Sequence, residues 1–359
     1  MAGRRNQYRY PEYRGRGGGR STVLIFIIVL LAVLLIAGVI FMAVMGDYIY
    51  YTPNGMEIHW PWLEQKPTGP PVFSDPVVIE TNDIVVTVEP EPGSARIPRS
   101  VLAAVTVTAG QLCDGTAVQA VAGAGGSTLV VEMKAGNGVL AWQSQAELAA
   151  SLYVNAADNS VADAVRALAQ NGELYLVARV HCFRDPFLTN AWISPLMTQG
   201  DRVWYDLYGI GWSSPASQTA ADYLSALCRE LADMGFDEIL LDDAGYPCLG
   251  DVDTLATDDN RPEDRTVPVA AFLQRLDREL EEKGVYLSVY AYEALTAGGE
   301  VYSGLTASVL AQSAGRVWLD ESVDREYYKS LLSAAGMENL NARLVVPAGD
   351  GAVSGSWYK

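Results

Sequence analysis

From residue 104 to residue 346 the chain switches back and forth between two hydrophobic periods, and this alternation restricts its fold more than any other feature. Short apolar runs read as strands at 104–108, 128–133, 174–180, 238–241, 285–291, 316–319 and 342–346. Helical spacing fills most of the gaps. "SVADAVRALAQNG" (160–172) has a polar cap and a glycine stop, and "TAADYLSALCRELADMGF" (219–236) repeats apolar residues on one face. "VAAFLQRLDRELEEKG" (269–284) is amphipathic and closes on Lys-Gly, and "DREYYKSLLSAAG" (324–336) repeats the design. Strands too apolar for one-sided burial, separated by helices, predict a parallel sheet covered on both faces. About eight strands over roughly 270 residues fit a (β/α)8 barrel of the TIM type better than an open sheet. No Gly-x-Gly-x-x-Gly or Walker-type loop follows a strand, which disfavours nucleotide binding. Only about a dozen residues follow the run at 342–346, so the eighth strand is expected from 84–88 upstream, with atypical or incomplete closure.

The part before the barrel has a different composition. Residues 23–45, "VLIFIIVLLAVLLIAGVIFMAVM", carry no charge and are long enough for a transmembrane helix. A cleaved signal peptide would have a shorter apolar region and a small-residue cleavage site, whereas Asp47 and an aromatic cluster follow here. Six arginines and one acid precede the run, which places the N-terminus in the cytoplasm and the barrel outside, in a single-pass membrane protein. Residues 1–22 are expected to be a disordered cytoplasmic tail that touches anionic lipid. Residues 46–82 hold a hairpin candidate turning at Asn54-Gly55, with tyrosines and tryptophans suited to the membrane interface, and then a Pro-rich spacer. Residues 83–359 are the barrel domain. After the first 22 residues, nineteen basic side chains face forty-two acidic ones, so nucleic acid is not an expected partner.

Chemistry in such barrels sits at the C-terminal ends of the strands. Those ends supply Glu132 and Lys134 in "VVEMK", Arg179 and His181 in "VARVH", and Asp242 and Asp243 in "LLDD". Tyr290, Tyr292 and Glu293 follow in "VYAYE", then Asp320 and Glu321 in "WLDES", and Asp350 in "VPAGD". A single acid at a strand end is usually a helix cap or a solvated loop residue. Five or six strand ends converging on one mouth suit a sugar, with carboxylates for acid/base and nucleophilic work and aromatic faces for stacking. Alternation along a strand predicts that Asp242 points into the mouth and Asp243 away from it. Asp242 also reads as a buried structural acid paired with Arg179 on the neighbouring strand.

"GFDEILLDDAGYP" (235–247) resembles the strand-four signature, Gly-Phe-Asp-Glu-x-x-x-Asp-x-x-x-x-Pro, of a family of proposed glycoside hydrolases classed as a domain of unknown function. "LYLVARVHCFRDPFL" (174–188) is similar to that family's third strand, and "LVVEMKAGNGVLAW" (129–142) to its second. The resemblance spans roughly residues 100–350 and implies a glycan-directed (β/α) barrel from an anchored or secreted bacterial protein. Position by position it points to Lys134, Arg179, Asp185 and Asp242. The chain departs from the pattern at Gly245, where an arginine is usual, and at Glu132, where the strand-two acid is usually aspartate. A chitinase signature would need a glutamate at Ala244.

These readings predict a glycoside hydrolase acting on cell-envelope or environmental polysaccharide. Asp242 and Glu293 are the expected carboxylate pair, and Asp320, Glu321 and Asp350 remain alternatives for the second position. Glu132, Lys134, Arg179, His181, Asp185, Tyr292, Asp320 and Glu321 are the expected substrate contacts. The alternative is an inactive anchored barrel that binds envelope glycan as a scaffold. No cofactor is expected. With two histidines and no Cys-x-x-Cys a zinc site is not expected, and the acidic stretch 250–260 does not have EF-hand spacing. Cys182 and Cys248 follow adjacent strands and are placed to meet, while Cys228 is expected buried and free.

Overall fold

The computed structural model describes residues 49–52, 55–58, 100–291, 302–321, 323–349 and 355–359. The chain divides into two compact units, Met1–Asn82 and Asp83–Lys359. In the first, Ile49–Thr52 pairs antiparallel with Gly55–Ile58, and Thr52 faces Gly55. The connection is therefore residues 53 and 54, one position earlier than the expected Asn54-Gly55 turn. Among the described residues no helix is long and apolar enough to cross a membrane; the apolar run 23–45 lies outside them.

The second unit is a closed barrel of eight parallel strands. They are β1 (Ala103–Val107), β2 (Thr128–Lys134), β3 (Tyr175–His181), β4 (Glu238–Asp242), β5 (Tyr286–Ala291), β6 (Arg316–Leu319), β7 (Leu344–Pro347) and β8 (Ser356–Tyr358). The connecting helices are α1 (Ala117–Gly123), α2 (Ser160–Asn171), α3 (Gln218–Met234), α4 (Thr266–Glu281), α5 (Ala307–Ser313) and α6 (Arg325–Ala334). Every residue of β4 is buried, as a strand covered on both faces requires. Outward side chains such as Ile239 and Leu241 join the helix-layer core with Leu224, Leu227 and Leu231 of α3 and Phe272 and Leu276 of α4. The Ser217 side chain caps α3, and Gly235, at φ 107°, ends it. A β-carbon on Gly235 would lie 2.5 Å from that of Ala169, so the turn "GFDE" also fixes α2 against the strand that follows.

The closure corrects the sequence expectation. The eighth strand is Ser356–Tyr358, wedged between β7 and β1 with Trp357 opposite Ala103 and Tyr358 opposite Ala104; the upstream candidate 84–88 lies outside the described residues. Backbone bonds from Trp357 to Leu102 (2.9 Å) and from Lys359 to Ala104 (3.0 Å) complete the ladder. A three-residue strand of one serine and two aromatics has no period to detect.

Inside the barrel the side chains form layers. At the base, Glu238 and Arg316 pair fully buried, with Tyr175, Ser288 and Trp318 donating to the Glu238 carboxylate. Above them Ala104, Val130, Val177, Leu240, Trp318 and Val345 form an apolar plug. The mouth lies over this plug.

Candidate active site

Three adjacent strands build the centre of the mouth. Arg179 and His181 are two apart on β3 and share its inward face, while His181 lies opposite Asp242 of β4. The Arg179 guanidinium donates through Nε (3.0 Å) and Nη2 to Oδ2 of Asp242, while Oδ1 accepts the backbone N–H of Asp243 at 2.8 Å. His181 Nε2 stands 3.3 Å from Glu132 Oε2 and 3.7 Å from Asp242 Oδ2, which bounds the gap between those two carboxylate oxygens at about 7 Å. Tyr290 of β5 lies under Arg179, 4.9 Å from ring centre to guanidinium carbon, and donates to Asp320 at 3.1 Å. Tyr358 of β8 reaches the same cluster, 3.2 Å from the Tyr290 hydroxyl.

Asp243 does not point away. β4 ends at Asp242, and Asp243 takes a left-handed conformation (φ 51°), which aspartate tolerates better than most residues. Its carboxylate thereby turns back to His181 Nδ1 at 2.7 Å. Both imidazole nitrogens thus face carboxylates. Burial alone would lower the His181 pKa, but hydrogen bonds to Asp243 and Glu132 and the charges of Asp242 and Asp243 push it up to about 9. Asp242 is raised by burial and by Asp243, against the pull of His181 and Arg179. Glu132 is lowered, chiefly by its hydrogen bond to His181.

A stability prediction follows from His181. Its folded value exceeds the ordinary 6.5, so its contribution is complete below about pH 6.5 and is lost as pH rises through about 9. The shift corresponds to roughly 3 kcal/mol at most. The melting temperature of the parent should therefore fall between pH 6.5 and 9, and that of His181→Gln should be flatter over this interval. Parallel curves for the two proteins would show that His181 is not held as imidazolium.

Two expected contacts are buried. Lys134 and Asp185 are 0% and 1% exposed and pair with each other at 2.8 Å. Lys134 also donates to the His181 carbonyl (2.9 Å), and Asp185 caps the short helix Pro186–Asn190 through the N–H groups of Phe187 and Leu188. Asp185 of the "RDP" stretch and Lys134 thus form a buried brace that holds the loop after β3. A register shift between Glu132 and Lys134 sends the lysine into it. Asp320 is half-buried beside Tyr290, and Glu321 is exposed beyond β6. Tyr292, Glu293 and Asp350 lie outside the described residues. Cys182 is a buried free thiol, raised first by burial and then by Cys228.

His181, Asp242 and Asp243 offer donor atoms within 4.8 Å of one another, a spacing that could hold a metal ion. Such an ion needs a neutral imidazole and free carboxylate oxygens, whereas His181 is held as a cation and Arg179 occupies Asp242. An ion there would have to displace the proton of His181 and compete with Arg179 for Asp242.

A closed parallel barrel with a charged, aromatic mouth of this kind has the form of a sugar-cleaving enzyme. Residues 104–304 match the family described as "Putative glycosyl hydrolase domain", and the chain belongs to that family. Solved structures with a similar fold include a hypothetical protein from Ruminiclostridium thermocellum ATCC 27405, at 20% identity over 52% of this chain and 96% of that one, with TM-score 0.45. The PgaB (BpsB) glycoside hydrolase domain from Bordetella bronchiseptica aligns at 14% identity over 72% and 94%, with TM-score 0.49. The GH20 beta-N-acetylhexosaminidase from Streptomyces coelicolor A3(2) aligns at 13% identity over 70% and 49%, with TM-score 0.43. No curated protein matches the sequence.

Proposed function

We propose that this barrel hydrolyses glycosidic bonds in a cell-envelope or environmental polysaccharide, with Asp242 as general acid and Glu132 as the second carboxylate. The observation that carries this reading is the pair itself. Two acids stand on either side of His181 Nε2, one buried and raised, the other half-exposed and lowered. Environments that push two carboxyls apart assign one to give a proton and the other to stay ionised. Their separation of at most about 7 Å allows either a direct attack by Glu132 or one through water. His181 between them keeps Glu132 ionised, and Arg179 orients Asp242 toward the mouth. Glu293 is the other candidate for the second position.

The Arg179–Asp242 ion pair favours a second reading, in which Asp242 is a structural acid and the barrel binds glycan without cleaving it. Hydrolysis decides between them. The full chain is incubated with purified peptidoglycan, glycol chitin and soluble β-glucans, beside Asp242→Asn, Glu132→Gln and Glu293→Gln. Product from the parent, lost in Asp242→Asn and in one glutamate variant, establishes the pair. Glycan retention without product from any protein removes the enzyme reading in favour of the scaffold.

We also propose that residues 23–45 anchor the chain as a single transmembrane helix with the N-terminus cytoplasmic. The full chain should then stay with membranes after alkaline carbonate extraction, and release into the supernatant would refute the anchor.

A further inference from the structure

The loop after β3 begins at the mouth and carries a hairpin tip, "YDLYGIG" (205–211), closed by pairing of Tyr205 with Gly211. The tip exposes three large side chains together: Tyr208 at 80%, Leu207 at 70% and Tyr205 at 52%. Single exposed apolar residues are ordinary, but three on one turn are not.

This tip is also held firmly. The half-buried Asp206 carboxylate accepts from Arg184 Nε (2.7 Å), Trp212 Nε1 (3.3 Å) and the N–H groups of Tyr208 and Ile210 (both 2.9 Å). Burial would raise Asp206, yet Arg184 and the two N–H groups hold it below the usual carboxylate range. Gly209, at φ 73°, completes the turn. Trp204 Nε1 donates to the Asp251 carbonyl (3.2 Å), which ties the hairpin to the loop after β4. An exposed aromatic fixed this way loses little side-chain entropy on meeting a ligand.

The tip connects to the catalytic cluster. The Arg184 guanidinium lies 5.4 Å from the Tyr208 ring centre and covers one face of it. Arg184 Nη1 also donates to the Gly136 carbonyl (3.4 Å). A β-carbon built on Gly136 would sit 2.7 Å from that Nη1 and 3.3 Å from His181 Nδ1, so Arg184 reaches within about 6 Å of His181. One side chain therefore spans the distance from the cluster to the platform.

We propose that the 205–211 tip is a glycan-binding rim, with the open face of Tyr208 stacking on a pyranose ring of the polysaccharide that enters the mouth. Flat stacking on an aromatic face needs a sugar that presents a continuous C–H surface. Gluco-configured rings present such a surface, and β-linked polymers, which extend as flat ribbons, offer it more continuously than α-linked ones, which coil. The proposal rests on the glycan-directed reading of the mouth but not on catalysis there.

The test is affinity electrophoresis of the full chain in gels containing glycol chitin, hydroxyethylcellulose or, as the α-linked control, dextran. The parent, Tyr208→Ala and Tyr208→Phe are run together, with melting temperatures and sedimentation as controls. The expected result is retardation of the parent by at least one β-linked polymer, more strongly than by dextran, an affinity about tenfold weaker for Tyr208→Ala, and near-parent retardation for Tyr208→Phe. Absence of retardation by both β-linked polymers overturns the rim, as does equal retardation of parent and Tyr208→Ala. A change confined to self-association in Tyr208→Ala overturns it too, and makes the tip a contact between copies of the chain. Retardation of the parent without product release leaves the rim standing and removes the hydrolase reading; product release with equal retardation of both proteins removes the rim alone.

Discussion

Asp242→Asn is expected to slow cleavage of an unactivated polysaccharide between about a hundredfold and ten-thousandfold, the usual worth of a general acid. The substitution keeps the shape of the side chain. Its amide oxygen can still accept from Arg179, at the cost of the bond that Oδ1 accepts from the N–H of Asp243, so the barrel should fold with a modest loss of stability, while the proton to be donated is gone. The dependence on leaving group separates this role from a structural one. An aryl glycoside with a strongly acidic phenol leaves without help, so Asp242→Asn should cleave it far closer to the parent rate. Glu132→Gln should instead lose activity on both substrates, because a nucleophile or base is needed whatever the leaving group. The pH profile should also change. With one anion fewer beside it, His181 loses part of the push that raises it, so its titration should move down from about 9. If Asp242→Asn loses activity equally on both substrates and melts well below the parent, Asp242 is a structural acid paired with Arg179, and the general-acid assignment fails.

How far the residues themselves announced this arrangement differs along the chain. The barrel was legible because the switching between periods 2 and 3.6 is repeated and each switch is marked, as by Gly172, Gly235 and Gly284 after their helices. Arg179, His181 and Asp242 were legible as mouth residues because β3 and β4 are regular up to their last positions. The misreadings fall where regularity stops. Asp243 follows the end of a strand, and one left-handed residue cancels the alternation that would have sent it outward. Lys134 follows a register shift and is drawn into the brace with Asp185, a contact made across a loop that carries no period. β8 is too short for any pattern, so Tyr358 could not be foreseen at the mouth. The tether of Arg184 to Asp206 and Tyr208 links positions 22 and more residues apart in irregular backbone, where only the turn residues Asp206 and Gly209 leave a local trace.

Removing the guanidinium at the barrel base should have the largest effect on stability. Arg316→Met is expected to cost about 3–5 kcal/mol, because it leaves the Glu238 carboxylate unpaired where no water reaches it. Both side chains are essentially unexposed, and Arg316 also donates to the carbonyls of Ser100 and Ala342 at 3.1 Å each, so both lose that donor and Ala342 is left with the Ser356 hydroxyl. For a domain of this size the melting temperature should fall by roughly ten degrees. Glu238→Leu combined with Arg316→Met removes the orphaned charge and should recover part of the loss. Recovery should stay incomplete, because Tyr175, Ser288 and the Trp318 indole then have no carboxylate to donate to. The loss should also reach the mouth. Trp318 leans on Tyr358 with ring centres 5.5 Å apart, and the Tyr358 hydroxyl meets that of Tyr290, which lies under Arg179. In the variant that combines Glu238→Leu with Arg316→Met the indole loses its Glu238 acceptor, which loosens that stack from below, so glycan cleavage should weaken even at temperatures where this variant is folded. A denaturation midpoint for Arg316→Met alone within about 1 kcal/mol of the parent would mean that water or a neighbour solvates Glu238, and the base would then be no clamp on the mouth.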